Sequence, residues 1–214
     1  MTGDPLWAEH CEEVAFNSYP AAVMPDFKGL RYITCPNQTV SDSKNHHPGI
    51  DNRGPFLAMN PFSSRCCQHN HAQGWPYYAE HLILATPDNG VAAAMYAACK
   101  ATVKVGDGNE ISLHEQTNYP FEETIRFTVN TPKAVSFPFY LRIPSWTEGA
   151  TIFVNGKKVA ANPEAGQYAC INREWKDNDQ VEIQLPMQLS MRTWQVNKNS
   201  VSVDYGPLTM SLKI

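Results

Sequence analysis

The strongest constraint on the fold is a switch of hydrophobic period near residue 90. Ile111, Leu113 and Glu115 alternate with Ser112, His114 and Gln116, and Ile125, Phe127 and Val129 alternate with Thr124, Arg126 and Thr128. A period of two places the two sets on opposite faces of an extended chain, as in a strand with one face buried. Short segments of strand character run from Val91 to Cys99, Ala101 to Val105, Glu110 to Thr117, Thr124 to Asn130, Val135 to Ile143, Thr151 to Val154, Tyr168 to Asn172, Val181 to Leu185, Val201 to Asp204 and Leu208 to Leu212. Turn clusters separate them at Gly106-Asp107-Gly108-Asn109, Asn155-Gly156 and Lys176-Asp177-Asn178-Asp179. Val154-Asn155-Gly156-Lys157 predicts a tight hairpin. Many short strands at this spacing predict a sandwich or barrel.

Before the switch the chain reads as helix and polar loop. Asp4-Pro5 starts a helix, with Asp4 as N-cap and Pro5 at the first helical position. Leu6, Trp7, Cys11, Val14 and Ala15 fall near one face; Glu9, Glu12 and Glu13 lie mostly off it, and Glu12 and Glu13 read as helix surface or a salt bridge. The helix is expected to end near Asn17-Ser18, before Pro20. Leu30 to Ile33 reads as a short strand, and the polar stretch from Asn37 to Arg53 as a long functional or mobile loop. Trp75 to Ala85 is helix-like, with Pro76 opening that helix or kinking one begun near Gln68. Thr86-Pro87-Asp88-Asn89-Gly90 is a strong turn. It divides a helical unit, residues 1–88, from a β-sandwich, residues 89–214. The expected class is mixed, mainly β, with the sandwich antiparallel.

Composition narrows the function classes. Of the 214 residues 43% are hydrophobic and 18% charged, as in ordinary folded domains. A net charge of −4 without a basic run argues against a nucleic-acid partner. No apolar stretch is long enough to span a membrane, so no membrane partner is expected. The first residues lack the basic and apolar regions of a signal peptide, and the compartment stays unread. Six cysteines without regular spacing are expected to be reduced thiols. Cys99 and Cys170 read as strand core residues, and Trp146, Trp175 and Trp194 as core or interdomain contacts.

Chemistry concentrates in Arg65-Cys66-Cys67-Gln68-His69-Asn70-His71. A thiolate is both a zinc ligand and a nucleophile, and it needs a lowered pKa. A helix starting just after the pair favours the anion through its N-terminal dipole. Two buried apolar cysteines are the plainer alternative. His69 and His71 share a face only on a strand and diverge on a helix; structural or substrate-pocket roles suit them better than metal ligation. Trp75, with Tyr77 and Tyr78, forms an aromatic cluster able to stack on a sugar ring or to pack in a core.

Gly3 to Ala8 followed by Cys11 to Asn17 resembles a helix near the end of the catalytic domain of glycoside hydrolase family 127, the β-L-arabinofuranosidase-like enzymes. Arg65 to Asn70 resembles the family's paired-cysteine motif. Leu141-Arg142-Ile143-Pro144-Ser145-Trp146, Val154-Asn155-Gly156, Arg173 to Asp179 and Tyr205-Gly206-Pro207-Leu208 match further, in the family's order. The resemblance implies that residues 1–88 are a remnant of an (α/α)6 barrel, with the β-sandwich following. It implies a carbohydrate substrate of arabinofuranoside type and a retaining mechanism with Cys66 as nucleophile, and zinc held by Cys66 and Cys67. His69 and Trp75 become candidate substrate contacts. The family's other zinc ligands and its glutamate acid/base would lie upstream of Met1, in a missing N-terminal portion of the barrel, so the isolated chain is expected to be inactive. The alternative is a non-enzymatic sugar-binding or structural β-sandwich with a structural thiolate zinc site.

Overall fold

The computed structural model describes residues 3–31, 57–58, 65–159 and 163–211. Helix α1 spans Pro5–Glu13, and the Asp4 carboxylate accepts the Leu6 N–H at 2.9 Å, the expected cap. The helix does not stop at Asn17-Ser18. It widens into a π turn, Val14–Ser18, and continues as α2, Tyr19–Ala21. Pro20 comes just after the π turn, where the regular hydrogen-bond ladder is already interrupted. Strand β1, Leu30–Arg31, pairs antiparallel with β2, Leu57–Ala58. Tyr32 and Ile33, the loop from Asn37 to Arg53, and Cys35 lie outside the described residues.

Helix α3 runs from Arg65 to Glu80 with Pro76 inside it, so it opens at the cysteine pair and not after it. Residues 83–85, expected to be helical, are strand β3, Ile83–Ala85, paired antiparallel with β4, Val91–Ala93. The reversal is made at Asn89, with φ 60°, and at Gly90, which lies so close to the Pro138 carbonyl that a Cβ has no room.

Strands β5 (Cys99–Val105), β6 (Asn109–Thr117), β7 (Thr124–Asn130), β8 (Val135–Ile143), β9 (Thr151–Val154), β10 (Lys157–Lys158), β11 (Gln167–Trp175) and β12 (Asp179–Gln184) follow. One sheet has the order β10-β9-β12-β7-β6-β5 and the other β11-β8-β4-β3. All pairs are antiparallel except β4 with β8. Val154↔Lys157 closes the expected hairpin, with Asn155 and Gly156 both at positive φ. Ile111, Leu113, Ile125, Phe127 and Val129 of the first sheet meet Phe137, Phe139, Leu141 and Ile143 of the second, all essentially inaccessible. Trp175 is fully buried and donates its indole N–H to the Phe137 carbonyl at 3.0 Å. Trp146 packs partly against this core. The fold is thus mainly β, with a small helical part.

Three expectations fail in instructive ways. Cys170 is exposed on the outer face of β11, and Trp194 is 41% exposed. A third sheet, β13 (Leu189–Trp194), β14 (Ser200–Tyr205) and β15 (Leu208–Met210), stands apart from the other two; Leu212 lies outside the described residues. Its polar side chains, Ser190, Arg192, Asp204 and Thr209, line a cleft against α1, while Leu189, Met191, Val201, Val203 and Met210 are exposed. Helix α1 is inverted in the same sense. Glu12 is 1% exposed, whereas Leu6, Trp7 and Val14 are exposed and Phe16 is half-buried. The reason is the surface α1 lies on: the outer side of β8, where the buried Arg142 demands a carboxylate partner.

Candidate functional site

The first turn of α3 carries Cys66 and Cys67, and neither is buried. Their sulfurs are 3.7 Å apart, too far for a disulfide. Two thiolates on one tetrahedral zinc, each bonded at about 2.3 Å, are about 3.8 Å apart. The pair therefore fits two corners of such an ion. Among the described residues no group of three His, Cys, Asp or Glu side chains converges to hold a metal. Without a cation the Cys67 thiol is raised above its usual pKa, by partial burial first, then by its hydrogen bond with Cys66 and by the Cys66 charge. One thiolate beside another is costly. A bound divalent ion reverses that cost and deprotonates the thiols.

Helical spacing sorts the neighbours. His69 lies one turn on from Cys66, exposed on the same face. His71 follows Cys67 by one turn, but its ring stacks on Tyr19, with centroids 4.2 Å apart and planes within 2°. Its Nε2 is 3.1 Å from the Tyr19 carbonyl oxygen, and the Tyr19 hydroxyl donates to the His71 carbonyl. His71 is thereby committed to joining α3 to α2. Trp75, 44% exposed, stands edge-on to Tyr19 at 5.2 Å and to Tyr78 at 5.9 Å. At nine positions past Cys66 it is about 13 Å away along the helix axis. The structure brings Cys66 and Cys67 together, leaves His69 exposed one turn on, and sets Trp75 apart, on an apolar cleft shared with Cys11, Val14, Tyr19, Tyr78 and Met95.

Several residues seat α1 on the sandwich; the salt-bridge alternative for Glu12 and Glu13 holds, whereas sequence reasoning missed their partners and the roles of Glu9 and Asn17. Glu9 accepts from the Ser145 N–H at 2.8 Å and from the Ser145 hydroxyl. Glu12 pairs with Arg142, and Glu13 with Arg192 at 2.7 Å. Asn17 donates to the Pro207 carbonyl at 2.8 Å and accepts from the Thr209 N–H at 2.7 Å. Arg142 and Ser145 belong to Leu141–Trp146, and Pro207 to Tyr205–Leu208, so the two motifs meet on one helix. The available signal was Arg142 itself, a cation between the apolar Leu141 and Ile143. Nothing local named its partner.

Comparison with known proteins agrees with this layout. A family profile described as "Beta-L-arabinofuranosidase, GH127 catalytic domain" matches residues 1–80, and one described as "Beta-L-arabinofuranosidase, GH127 middle domain" matches residues 90–187. No curated protein matches the chain in sequence. A solved glycoside hydrolase is 30% identical, with a TM-score of 0.81 over 97% of this chain and 34% of its own. A GH127 beta-L-arabinofuranosidase from Geobacillus stearothermophilus T6 is 25% identical, with a TM-score of 0.80 over 97% of this chain and 33% of its own. A GH127 beta-arabinofuranosidase at 24% identity, with a TM-score of 0.75 over the same shares, speaks to the fold alone. The chain thus spans about a third of the length of these solved structures. With two successive domain profiles matched in order and the fold shared over nearly all of its length, the chain belongs to glycoside hydrolase family 127.

Proposed function

We propose that this chain is part of a retaining glycoside hydrolase of β-L-arabinofuranosidase type, with Cys66 as nucleophile and Cys66 and Cys67 as two ligands of a zinc ion. The chain up to the end of α3 would be the C-terminal part of an (α/α)6 catalytic barrel; β3 already belongs to a sheet of the β-sandwich behind it, so the boundary would fall before Ile83 and not at residue 88. The observation that carries the reading is the thiol pair. Two unburied sulfurs 3.7 Å apart open a helix within the segment that matches a catalytic domain. Bound zinc supplies the charge that keeps the thiols ionised. The Cys66 sulfur attacks the anomeric carbon as the bond to the leaving oxygen breaks, and that oxygen takes a proton from an acid outside this chain. Water then displaces the sulfur as a thiolate, giving its proton to the conjugate base left by that acid, and releases the sugar. His69, exposed one turn along, is placed to donate a hydrogen bond to a sugar hydroxyl. Trp75 offers a stacking surface farther along α3.

On this reading the chain supplies two ligands of a four-coordinate site, and among the described residues no carboxylate joins the thiol pair; hydrolysis would draw on a fuller catalytic domain, of the kind carried by solved structures of which this chain spans about a third. The exposed Leu6, Trp7 and Val14 suit a helix that packs against further barrel helices. The test joins this chain to the N-terminal part of a family relative and measures turnover of an aryl β-L-arabinofuranoside. Activity abolished by Cys66→Ala, with zinc lost on Cys67→Ala, supports the reading. Undiminished turnover in Cys66→Ala refutes it. The spacing of the two sulfurs equally suits a structural thiolate zinc site in which neither sulfur reacts. Zinc binding at one equivalent without any hydrolysis in the joined enzyme would favour that second reading.

A further inference from the structure

Glu12 is the most enclosed residue of α1, and each of its carboxylate oxygens is engaged. Oε1 accepts the Tyr96 N–H at 3.0 Å; Oε2 accepts the Tyr119 hydroxyl at 2.8 Å and pairs with Arg142 Nη2. Arg142 is fully buried, donates from Nε to the Ala94 carbonyl at 2.6 Å and lies 5.5 Å from the Tyr96 ring centroid. Among the described residues its Nη1 has no hydrogen-bond partner, and its Nη2 has only the ion pair with Glu12. The counter-charge to this guanidinium therefore comes from α1. A buried charge that loses its partner is left uncompensated, a loss far larger than that of a surface pair.

The same node reaches α3. Phe16, directly after α1, stands edge-on to Tyr119 at 5.6 Å and to Tyr78 of α3 at 5.7 Å. Tyr78 is buried with Ala15, Leu82 and Met95 and donates to the Tyr96 carbonyl at 3.4 Å. Helix α3 has 16 residues and carries Gly74 and Pro76. Gly and Pro are the two weakest helix formers, and a lone helix of this length is marginal in water. It stays helical because it is docked, and its docking runs through the residues around Glu12.

We infer that Glu12 and Arg142 are positioning residues: their ion pair seats α1 on the sandwich and, through Phe16 and Tyr78, keeps α3 folded so that Cys66 and Cys67 hold their two-thiol geometry. Neither touches the thiols. Only the consequence for metal binding rests on the proposed ligand role of the pair; the docking itself does not.

The experiment compares the 214-residue chain with Glu12→Gln, Arg142→Met and the double variant by hydrogen exchange and by titration with Cd2+, followed at the thiolate-to-metal absorption. In each single variant, amides of residues 5–21 and 65–80 should exchange faster by on the order of a hundredfold or more, while β6, β7, β8 and β12 keep their protection. Cd2+ affinity should fall in step. The double variant leaves no lone charge and should recover part of both losses, which general weakening of the fold would not produce. Unchanged protection of residues 65–80 in both single variants overturns the inference. So does equal loss across the sandwich strands, or a double variant as damaged as the two singles combined. If the unaltered chain shows no thiolate-to-metal absorption, two thiols alone do not hold the ion, the ligand reading is left to the joined enzyme, and the exchange data decide the docking: unchanged protection of residues 65–80 still overturns it.

Discussion

Asn17 is the side chain on which the third sheet hangs, and replacing it tests how that sheet is held. Its amide donates to the carbonyls of Glu13 and Pro207, both at 2.8 Å, and accepts from the Thr209 N–H at 2.7 Å. Two of these bonds cross to the β14–β15 turn. Each contributes about 1 kcal/mol net, and a group stranded away from water costs about 1–3 kcal/mol. Asn17 is half-buried, so water replaces part of the loss. Asn17→Ala should therefore cost about 2 kcal/mol, read as faster hydrogen exchange and faster proteolysis across residues 189–211 ahead of the sandwich. Asn17→Asp is the sharper variant. It keeps the shape and still accepts from Thr209, but at pH 8 it presents lone pairs to two carbonyl oxygens. That repulsion raises the introduced carboxyl's pKa in the folded state above its unfolded value. Its stability contribution is then complete below the unfolded pKa and is lost as pH rises through the folded one. Asn17→Asp should be at least as damaging as Ala at pH 8 and recover towards pH 4. A variant as protected as the unaltered chain at pH 8 would show that the turn is held some other way.

Two further outcomes follow from buried contacts. Glu115 is 1% exposed and accepts from the Ala97 N–H at 3.1 Å and the Cys99 thiol at 3.6 Å, and burial holds its pKa well above the usual carboxylate range. The raised folded-state value means that stability is complete below the unfolded pKa and falls as pH rises towards the folded one. Glu115→Gln should flatten that fall in urea melts at pH 5 to 8, and an unchanged pH slope would refute it. The Cys99 thiol, pushed up to about 12 by burial and then by Glu115, stays protonated throughout this range. Gly74→Ala improves helix propensity by about 1 kcal/mol, but the added methyl lands on the Tyr19 ring that stacks on His71. Overpacking of about 1–3 kcal/mol outweighs the gain; a thermal melt that rises would mean the ring yields freely.

How much was legible before the fold depends on how local each signal is. The hairpin at Asn155-Gly156 and the strands β7, β8 and β9 were readable because turn chemistry and a period of two act within a few residues. The cap at Asp4 and the position of the cysteine pair in a helix-bearing segment were readable for the same reason. Strand β13 was missed because Leu189 and Met191, the residues that mark its alternation, are solvent-exposed, and its polar side faces α1. The start of α3 was placed too late because Pro76 reads as a boundary, whereas packing on Tyr19 and Phe16 carries the helix through it.

The sequence by itself determined the division into a helical and a strand-rich part, the family motifs in their order and the adjacency of two thiols, since each is a matter of neighbours along the chain. Only the tertiary structure decided that Glu12 is the anchor of α1 and not its surface, because Arg142 stands 130 positions away and a charge selects its burial partner through space. It likewise separated His69, left open beside Cys66, from His71, taken up by Tyr19. The two histidines are alike in sequence and differ only in what the fold stacks against them.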